Sequence, residues 1–143
     1  MIAVDTNILV AAYREEYDLH AQAAEAIVGL INGSISWAIP WPCVHEFIAV
    51  ATNPRIFNTP AKLEDAFNFI EICGQSRSII FLSELSDHLK VLKEVSLRGN
   101  VKAGMIHDAR IAAICLANGV SEIWSFDRDF SRFPVLKCIN PLI

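Results

Sequence analysis

Short apolar runs alternate with longer segments of helical periodicity along the chain, and this alternation constrains the fold more than any other feature. The runs are rich in apolar, β-branched and aromatic residues, as buried strands are. Strands that alternate with helices pack as an α/β sandwich around a mostly parallel sheet. The sequence therefore predicts a three-layer α/β/α fold with about five strands, over Met1–Asp5, Ser36–Ile39, Ile79–Leu82, Glu122–Phe126 and Val135–Ile139.

The intervening segments carry apolar side chains at helical spacing. In one of them, Ala21, Ala24, Ile27, Val28 and Ile31 are predicted to face the core. In another, opened by Thr59 and Pro60, the same prediction applies to a second set of side chains. That set is Leu63, Ala66, Phe67, Ile70 and Cys73.

Length and composition fit one ordinary domain over residues 1–143. The hydrophobic fraction of 53% and mean hydropathy of +0.37 are high, which indicates a fully covered parallel sheet or an apolar oligomer interface. No apolar run approaches the ~18 residues that a membrane span needs. The first residues lack the basic region of a signal peptide, and Asp5 interrupts their apolar run. We therefore expect a cytoplasmic location.

Charge and cysteine usage exclude some classes of function. The net charge of −4 argues against a protein held on nucleic acid mainly by phosphate contacts. It leaves room for an enzyme whose acidic centre is neutralised by bound cations. The four cysteines form no CxxC pair, which argues against a zinc site and a disulfide framework.

Asp5 stands at the end of the first predicted strand, where open parallel sheets bind ligands. It could instead cap the following helix, because Asp is a favoured N-cap residue. Thr6 and Asn7 could also fill that position, so the cap does not require Asp5. The choice depends on whether other carboxylates reach the same edge of the sheet.

Three more carboxylates stand at comparable places. Glu46 lies in an apolar and therefore buried helix, Cys43 to about Thr52, where it must be paired with an arginine, protonated or bound to a cation. Asp108 begins the apolar helix Ile106–Asn118, where it also suits the helix dipole. Asp127 stands just beyond the fourth strand and could serve as another N-cap.

Convergence of these four acids would create a strongly repulsive site that needs cations. Ligand sets made only of oxygen favour Mg²⁺ or Mn²⁺ over zinc. Carboxylates that hold such ions suit the cleavage of phosphodiester bonds, because the ion activates water and offsets charge on the phosphate. The residues alone thus point to a metal-dependent nuclease.

The chain also resembles the PIN-domain family, and within it the VapC-type toxins of VapBC toxin–antitoxin pairs. The resemblance covers essentially the whole chain. It implies a Mg²⁺-dependent endoribonuclease that acts as a toxin, is inhibited by a cognate VapB-type antitoxin protein and frequently forms a homodimer. The matching stretches are Val4–Asn7, His45–Phe47 with Thr52–Arg55, Ile106–Ala109 and Ser125–Phe130.

The resemblance also implies roles for individual residues. Asp5, Glu46 and Asp108 would bind metal, and Asp127 would complete the acidic site. Asp129 and Asn7 are further candidates, and the Ser125 hydroxyl would orient a carboxylate or a water molecule. Water attack would leave a 3′-hydroxyl and a 5′-phosphate, without a Ser, Cys or His nucleophile.

Scattered cations would hold the RNA substrate. Arg128 and Arg132 are the first candidates because they flank Asp127, and Arg14 is another. The three tryptophans lie in or beside apolar strands, so we expect them in the core rather than stacked on bases. They are Trp37, Trp41 and Trp124.

Other functions stay open at this stage. A PIN-like module could bind RNA or a protein without cutting, and a PIN nuclease could act on structured DNA. A phosphatase of the haloacid dehalogenase type is a poor fit, because Asn7 occupies the position of its second Asp. The RNA target and the identity of the antitoxin cannot be derived from these residues.

Overall fold

A five-stranded, entirely parallel sheet forms the centre of the computed structural model, which describes residues 1–143. The strand order is β3-β2-β1-β4-β5. Six helices flank the sheet, so the predicted α/β fold is confirmed. The strands are β1 (Ile2–Val4), β2 (Trp37–Pro40), β3 (Ile79–Leu82), β4 (Glu122–Trp124) and β5 (Lys137–Ile139).

The six helices follow the predicted segments. Helix α1 packs against α2 and α3, α3 packs against α4, and α5 packs against α6. Two short 3-10 helices, Ala103–Met105 and Arg128–Arg132, precede α6 and follow β4. The helices are α1 (Thr6–Tyr13), α2 (His20–Asn32), α3 (Trp41–Ala51), α4 (Leu63–Gly74), α5 (His88–Arg98) and α6 (Ile106–Ala117).

Strand β1 lies at the point where the chain changes direction across the sheet. From β1 the chain builds outward to β2 and β3, and then returns to the other side of β1 for β4 and β5. Val4 and Trp124 are register partners, so β1 and β4 end side by side. Ligands bind at such a switch point in open α/β sheets, and the residues that follow these two strands therefore meet there.

The core-facing stripes differ in part from the predicted ones. Helix α2 buries Ala23, Ile27 and Leu30, whereas Val28 is 53% exposed. Helix α4 buries Ala66, Ile70 and Cys73, but Leu63 and Phe67 stay exposed. These stripes contain more apolar residues than one packed face can cover. The prediction was therefore wrong for the exposed residues Ala21, Val28, Leu63 and Phe67.

Strand β4 ends at Trp124, two residues earlier than predicted. Ser125 and Phe126 therefore belong to the loop, and Asp127 is the third residue after the strand. Strand β5 is also shorter than predicted, since it begins at Lys137. None of the helices has both the length and the apolar character needed to cross a membrane.

Candidate metal centre

Asp5 is fixed at the junction of β1 and α1. Its Oδ1 accepts a hydrogen bond from the Thr6 backbone N–H at 2.8 Å, and the Sγ of Cys43 lies 3.6 Å from the same oxygen. Its Oδ2 accepts a hydrogen bond from the Ser125 hydroxyl at 2.7 Å. Asp5 is buried and caps α1, and the same carboxylate stands at the switch point of the sheet. The two interpretations of Asp5 are therefore compatible.

Ser125 connects the loop after β4 to the start of α1. Its oxygen accepts hydrogen bonds from Asn7 Nδ2 at 3.1 Å and from the Asp127 backbone N–H at 2.9 Å, while its O–H donates to Asp5. One donor and two acceptors are all that a hydroxyl offers. Asn7 Oδ1 also accepts from the Phe126 backbone N–H at 3.2 Å. The loop that carries Asp127 is thus tied to the end of β1.

Glu46 faces the same region from α3. The Thr6 hydroxyl donates a hydrogen bond to Glu46 Oε2 at 3.1 Å. The prediction that this helix is buried all round was wrong, because Glu46 and Ala49 are exposed on the side that faces the cavity. The alternative of a buried ion pair fails as well, since no salt bridge includes Glu46.

Asp108, Asp127 and Asp129 form a compact cluster. One carboxylate oxygen from each lies within 4.8 Å of the others. Asp108 stands in the first turn of α6, and Asp127 caps the 3-10 helix by accepting the Asp129 backbone N–H at 2.8 Å. None of these three carboxylates takes part in a salt bridge. Their negative charge is therefore not offset by a protein cation.

A cavity of about 310 Å³ joins this cluster to the other acids. Asp5, Glu46, Asp108 and Asp127 all line it, so the structure brings together the four acids that the sequence singled out. Asp129 does not line this cavity, but its carboxylate lies close to those of Asp108 and Asp127. Further lining residues that the sequence reasoning did not assign to the site are Thr6, Val10, Tyr17, Val50 and Phe126.

Burial and mutual repulsion shift the protonation of two acids. Burial is the largest cause that raises the pKa of Asp108 to about 6, and the negative charges of the neighbouring acids add to it. In order of importance these acids are Asp127, Asp5, Asp129 and Glu46. Burial also raises the pKa of Asp5, against the hydrogen bonds from Ser125 and Thr6 that lower it.

This set of donors fits a divalent cation. Its ligand atoms are all carboxylate oxygens, with a hydroxyl and an amide nearby, which suits a hard ion such as Mg²⁺ or Mn²⁺. Asp108 makes no hydrogen bond through its carboxylate, and its pKa is raised first by burial and then by repulsion from the neighbouring acids. A bound cation would remove that repulsion.

The cations predicted to hold substrate do not line the acidic cavity. Arg132 lines a separate cavity of about 490 Å³ together with Arg98 and donates to the Gly99 carbonyl, and its contact with substrate stays a prediction. Arg14 is engaged elsewhere: it donates to Glu16 at 2.6 Å and to the Thr59 carbonyl at 2.7 Å. Arg128 is exposed in the 3-10 helix after Asp127.

Two of the tryptophans match their predicted positions and one does not. Trp37 is fully buried and Trp124 is half-buried, as expected for side chains of the sheet. Trp41 is 40% exposed, because it stands at the start of α3 beyond the end of β2. The expectation of a core position was therefore wrong for Trp41.

Comparison with known proteins agrees with this architecture. The PIN domain family model matches residues 2–136. The chain is 29% identical over 143 residues to Ribonuclease VapC25 of Mycobacterium tuberculosis, with 100% of both chains covered. It is 28% identical over 141 residues to Ribonuclease VapC31 of the same species, with 99% of each covered.

Solved structures share the fold. VapC20 of Mycobacterium tuberculosis, described as a sarcin-ricin loop cleaving toxin, matches with a TM-score of 0.66 and 17% identity over 92% of this chain and 93% of that one. VapBC2 of Rickettsia felis, bound to a DNA fragment from its promoter, matches with a TM-score of 0.65 and 18% identity over 97% and 98%. With the family model matched over nearly its whole length, the chain belongs to the PIN domain family.

Proposed function

We propose that this protein is a Mg²⁺-dependent endoribonuclease and the toxin of a toxin–antitoxin pair. The observation that carries the proposal is the convergence of Asp5, Glu46, Asp108 and Asp127 on one cavity from four separate segments. Full-length similarity to VapC ribonucleases supports RNA as the substrate.

The acids would divide the work of holding the ion. Asp108, Asp127 and Asp129 provide a compact set of oxygens, and Asp5 and Glu46 provide further oxygens from the lining of the same cavity. Mg²⁺, or Mn²⁺ in its place, supplies a charge that activates water and offsets the negative charge growing on the phosphate.

Neighbouring residues hold the acids in place. Ser125 fixes Asp5 through the 2.7 Å hydrogen bond, and Thr6 fixes Glu46 through the 3.1 Å bond. Asn7 ties down the loop that carries Asp127. Such supporting contacts orient ligands and typically change metal affinity or activity by about 10- to 100-fold when removed.

The partners follow from the same proposal. The substrate is RNA in the cytoplasm, and a VapB-type antitoxin would inhibit the enzyme by binding it. Structural neighbours that are toxin–antitoxin complexes support such a partner. Exposed apolar side chains, among them Leu63 and Phe67 on α4, are available for an antitoxin or for a second copy in a homodimer.

The test is cleavage of total cellular RNA by purified protein with Mg²⁺, with EDTA, and as the variant Asp5→Asn. We expect discrete fragments only from the wild type with Mg²⁺. The control is Asp18→Asn, which changes an exposed acid outside the cavity and should cleave as the wild type does. Absence of cleavage by a folded, Mg²⁺-binding, antitoxin-free protein would favour the non-catalytic module.

A further inference from the structure

Two additional cavities continue from the acidic centre along the space between α3 and α6. The first, of about 450 Å³, shares Glu46 and Asp108 with the acidic cavity. The second, of about 220 Å³, shares Pro42 and Arg110 with the first. Together they form a path that begins at the acids and ends at Trp41. We call this path the Trp41 groove and define it by Trp41, Pro42, His45, His107 and Arg110.

The groove contrasts with the acidic cavity in its chemistry. Beyond Glu46 and Asp108, its first cavity is lined by His45, His107 and Arg110, whose ring and guanidinium nitrogens can donate hydrogen bonds to phosphate oxygens. A path of this kind next to an acidic centre would offer a nucleic acid chain donors for its phosphates on one side of the cutting point.

Arg110 stands where the two cavities meet. Its Nε donates to Glu84 Oε1 at 2.6 Å, which fixes the side chain, and that side chain is 41% exposed. The remaining four N–H groups of the guanidinium make no hydrogen bond within the protein. The Nε–H bond thus orients Arg110, and the other N–H groups of its guanidinium can bind a phosphate.

Trp41 provides an aromatic surface at the far end. Its ring stacks on Phe81 with a centroid separation of 4.9 Å and an interplanar angle of 25°, and it neighbours the His45 ring at 6.3 Å. Trp41 is nevertheless 40% exposed, so part of its surface is open to a ligand. Proteins that bind single strands combine a cationic path with aromatic rings on which bases stack.

We propose that the Trp41 groove binds the single-stranded RNA next to the cleavage site, with Arg110 on a backbone phosphate and Trp41 against a base. This inference rests on the proposed function, because it treats the acidic cavity as the place of cleavage. It gives the substrate a direction across the protein, from the acids along α3 and α6 towards Trp41.

The test is binding of a fluorescein-labelled single-stranded RNA of mixed sequence, about 12 nucleotides long. It is done with Mg²⁺ in an Asp127→Asn background, which the proposed function predicts to leave the probe intact. We expect Trp41→Ala and Arg110→Ala each to weaken binding by about tenfold in fluorescence anisotropy, the scale of one stacked base. Trp41→Phe should retain most of the affinity.

Matched variants separate binding from structural damage. Leu89→Ala removes an exposed apolar side chain from α5, outside the groove, and should bind like the parent. Glu84→Gln breaks the ion pair but keeps Arg110. Binding should survive Glu84→Gln if the arginine contacts phosphate, whereas a loss equal to that of Arg110→Ala would mean that only the ion pair matters and would overturn the role of Arg110.

Tryptophan fluorescence gives a second readout that does not need a destabilising variant. RNA should quench the fluorescence of the parent, and Trp41→Phe should abolish most of the quenching, because Trp37 is buried and Trp124 is half-buried. Quenching that persists in Trp41→Phe, or RNA binding unchanged in Trp41→Ala and Arg110→Ala, would overturn the inference, as would an absence of binding by the parent.

These results are distinguishable from failure of the proposed function. If the wild type cleaves RNA while the groove variants bind as the parent does, the groove is wrong and the nuclease stands. If the wild type does not cleave but RNA binding depends on Trp41 and Arg110, the nuclease is wrong and the groove stands.

Discussion

The Ser125 hydroxyl donates a 2.7 Å hydrogen bond to Asp5 Oδ2 and joins the ends of two neighbouring strands at the acidic centre. Both residues are almost fully buried: Ser125 is 2% exposed and Asp5 is 6% exposed. Because this bond also counteracts the effect of burial on the pKa of Asp5, it helps to keep the carboxylate ionised. We therefore expect this bond to contribute to stability and, under the proposed function, to metal binding.

Replacing Ser125 with Ala should lower the free energy of unfolding by about 1 kcal/mol, the usual contribution of one hydrogen bond. It should also weaken Mg²⁺ binding by about tenfold or more, since Asp5 loses its supporting donor. Urea unfolding and calorimetric Mg²⁺ titration measure the two effects. Ser125→Thr keeps the hydroxyl and is the control, and an equal loss in both variants would count against this role of the hydroxyl.

Removing the charge of Asp108 should stabilise the metal-free protein. Asp108→Asn abolishes the repulsion from the neighbouring acids and should raise the free energy of unfolding by on the order of 1 kcal/mol at pH 7, allowing for partial solvent screening. The same variant should bind Mg²⁺ at least about tenfold more weakly. Asp18→Asn is the exposed control, and destabilisation by Asp108→Asn would contradict the account.

The raised pKa of Asp108 also predicts a pH dependence of stability without metal. A carboxyl whose pKa is about 6 in the folded protein and 3.8 as its ordinary value binds more protons when folded than when unfolded between those pH values. Asp108 should therefore reduce stability as the pH rises from about 4 to about 6, and add no further change above that. Urea unfolding of the wild type minus that of Asp108→Asn isolates this contribution, which should shrink when Mg²⁺ is present.

Glu46→Gln should change stability little and metal binding substantially. Glu46 is exposed, so removing its charge relieves no burial of a charge in the metal-free protein. The variant keeps the acceptor for the Thr6 hydroxyl and loses only the charge. Thermal unfolding without metal and Mg²⁺ titration compare it with Glu71→Gln on α4, an exposed control. Mg²⁺ affinity that matches the wild type would exclude Glu46 from the ion site.

The sequence was sufficient for the fold, and it singled out four acids that the structure brings to one cavity. The alternation of strands and helices follows from local periodicity, and a carboxylate at a strand end or early in an apolar helix is visible in the same pattern. Stretches such as Val4–Asn7, which contain these acids, resemble the PIN-domain family. The family match over residues 2–136 confirms that assignment of the chain.

Tertiary packing decided what the sequence could not. The local sequence does not show that Glu46 on α3 faces a solvent-filled cavity. It also does not show that Trp41 lies beyond the end of the sheet rather than in it. Arg132 was predicted to contact substrate because it is close to Asp127 in the sequence. In the structure, Arg132 lies in the 3-10 helix and lines the same cavity as Arg98. Exposure and direction depend on neighbours that are distant in sequence.

The chemistry of the RNA ends tests the central claim most directly. Metal-activated water should leave a 5′-phosphate and a 3′-hydroxyl, whereas attack by the RNA's own 2′-hydroxyl would leave a cyclic phosphate and a 5′-hydroxyl. Fragments made by the wild type with Mg²⁺ should carry 5′-phosphates, and neither EDTA-treated protein nor Asp127→Asn should produce them. Cleavage that persists in EDTA, or fragments with cyclic phosphate ends, would contradict a nuclease centre built on these acids.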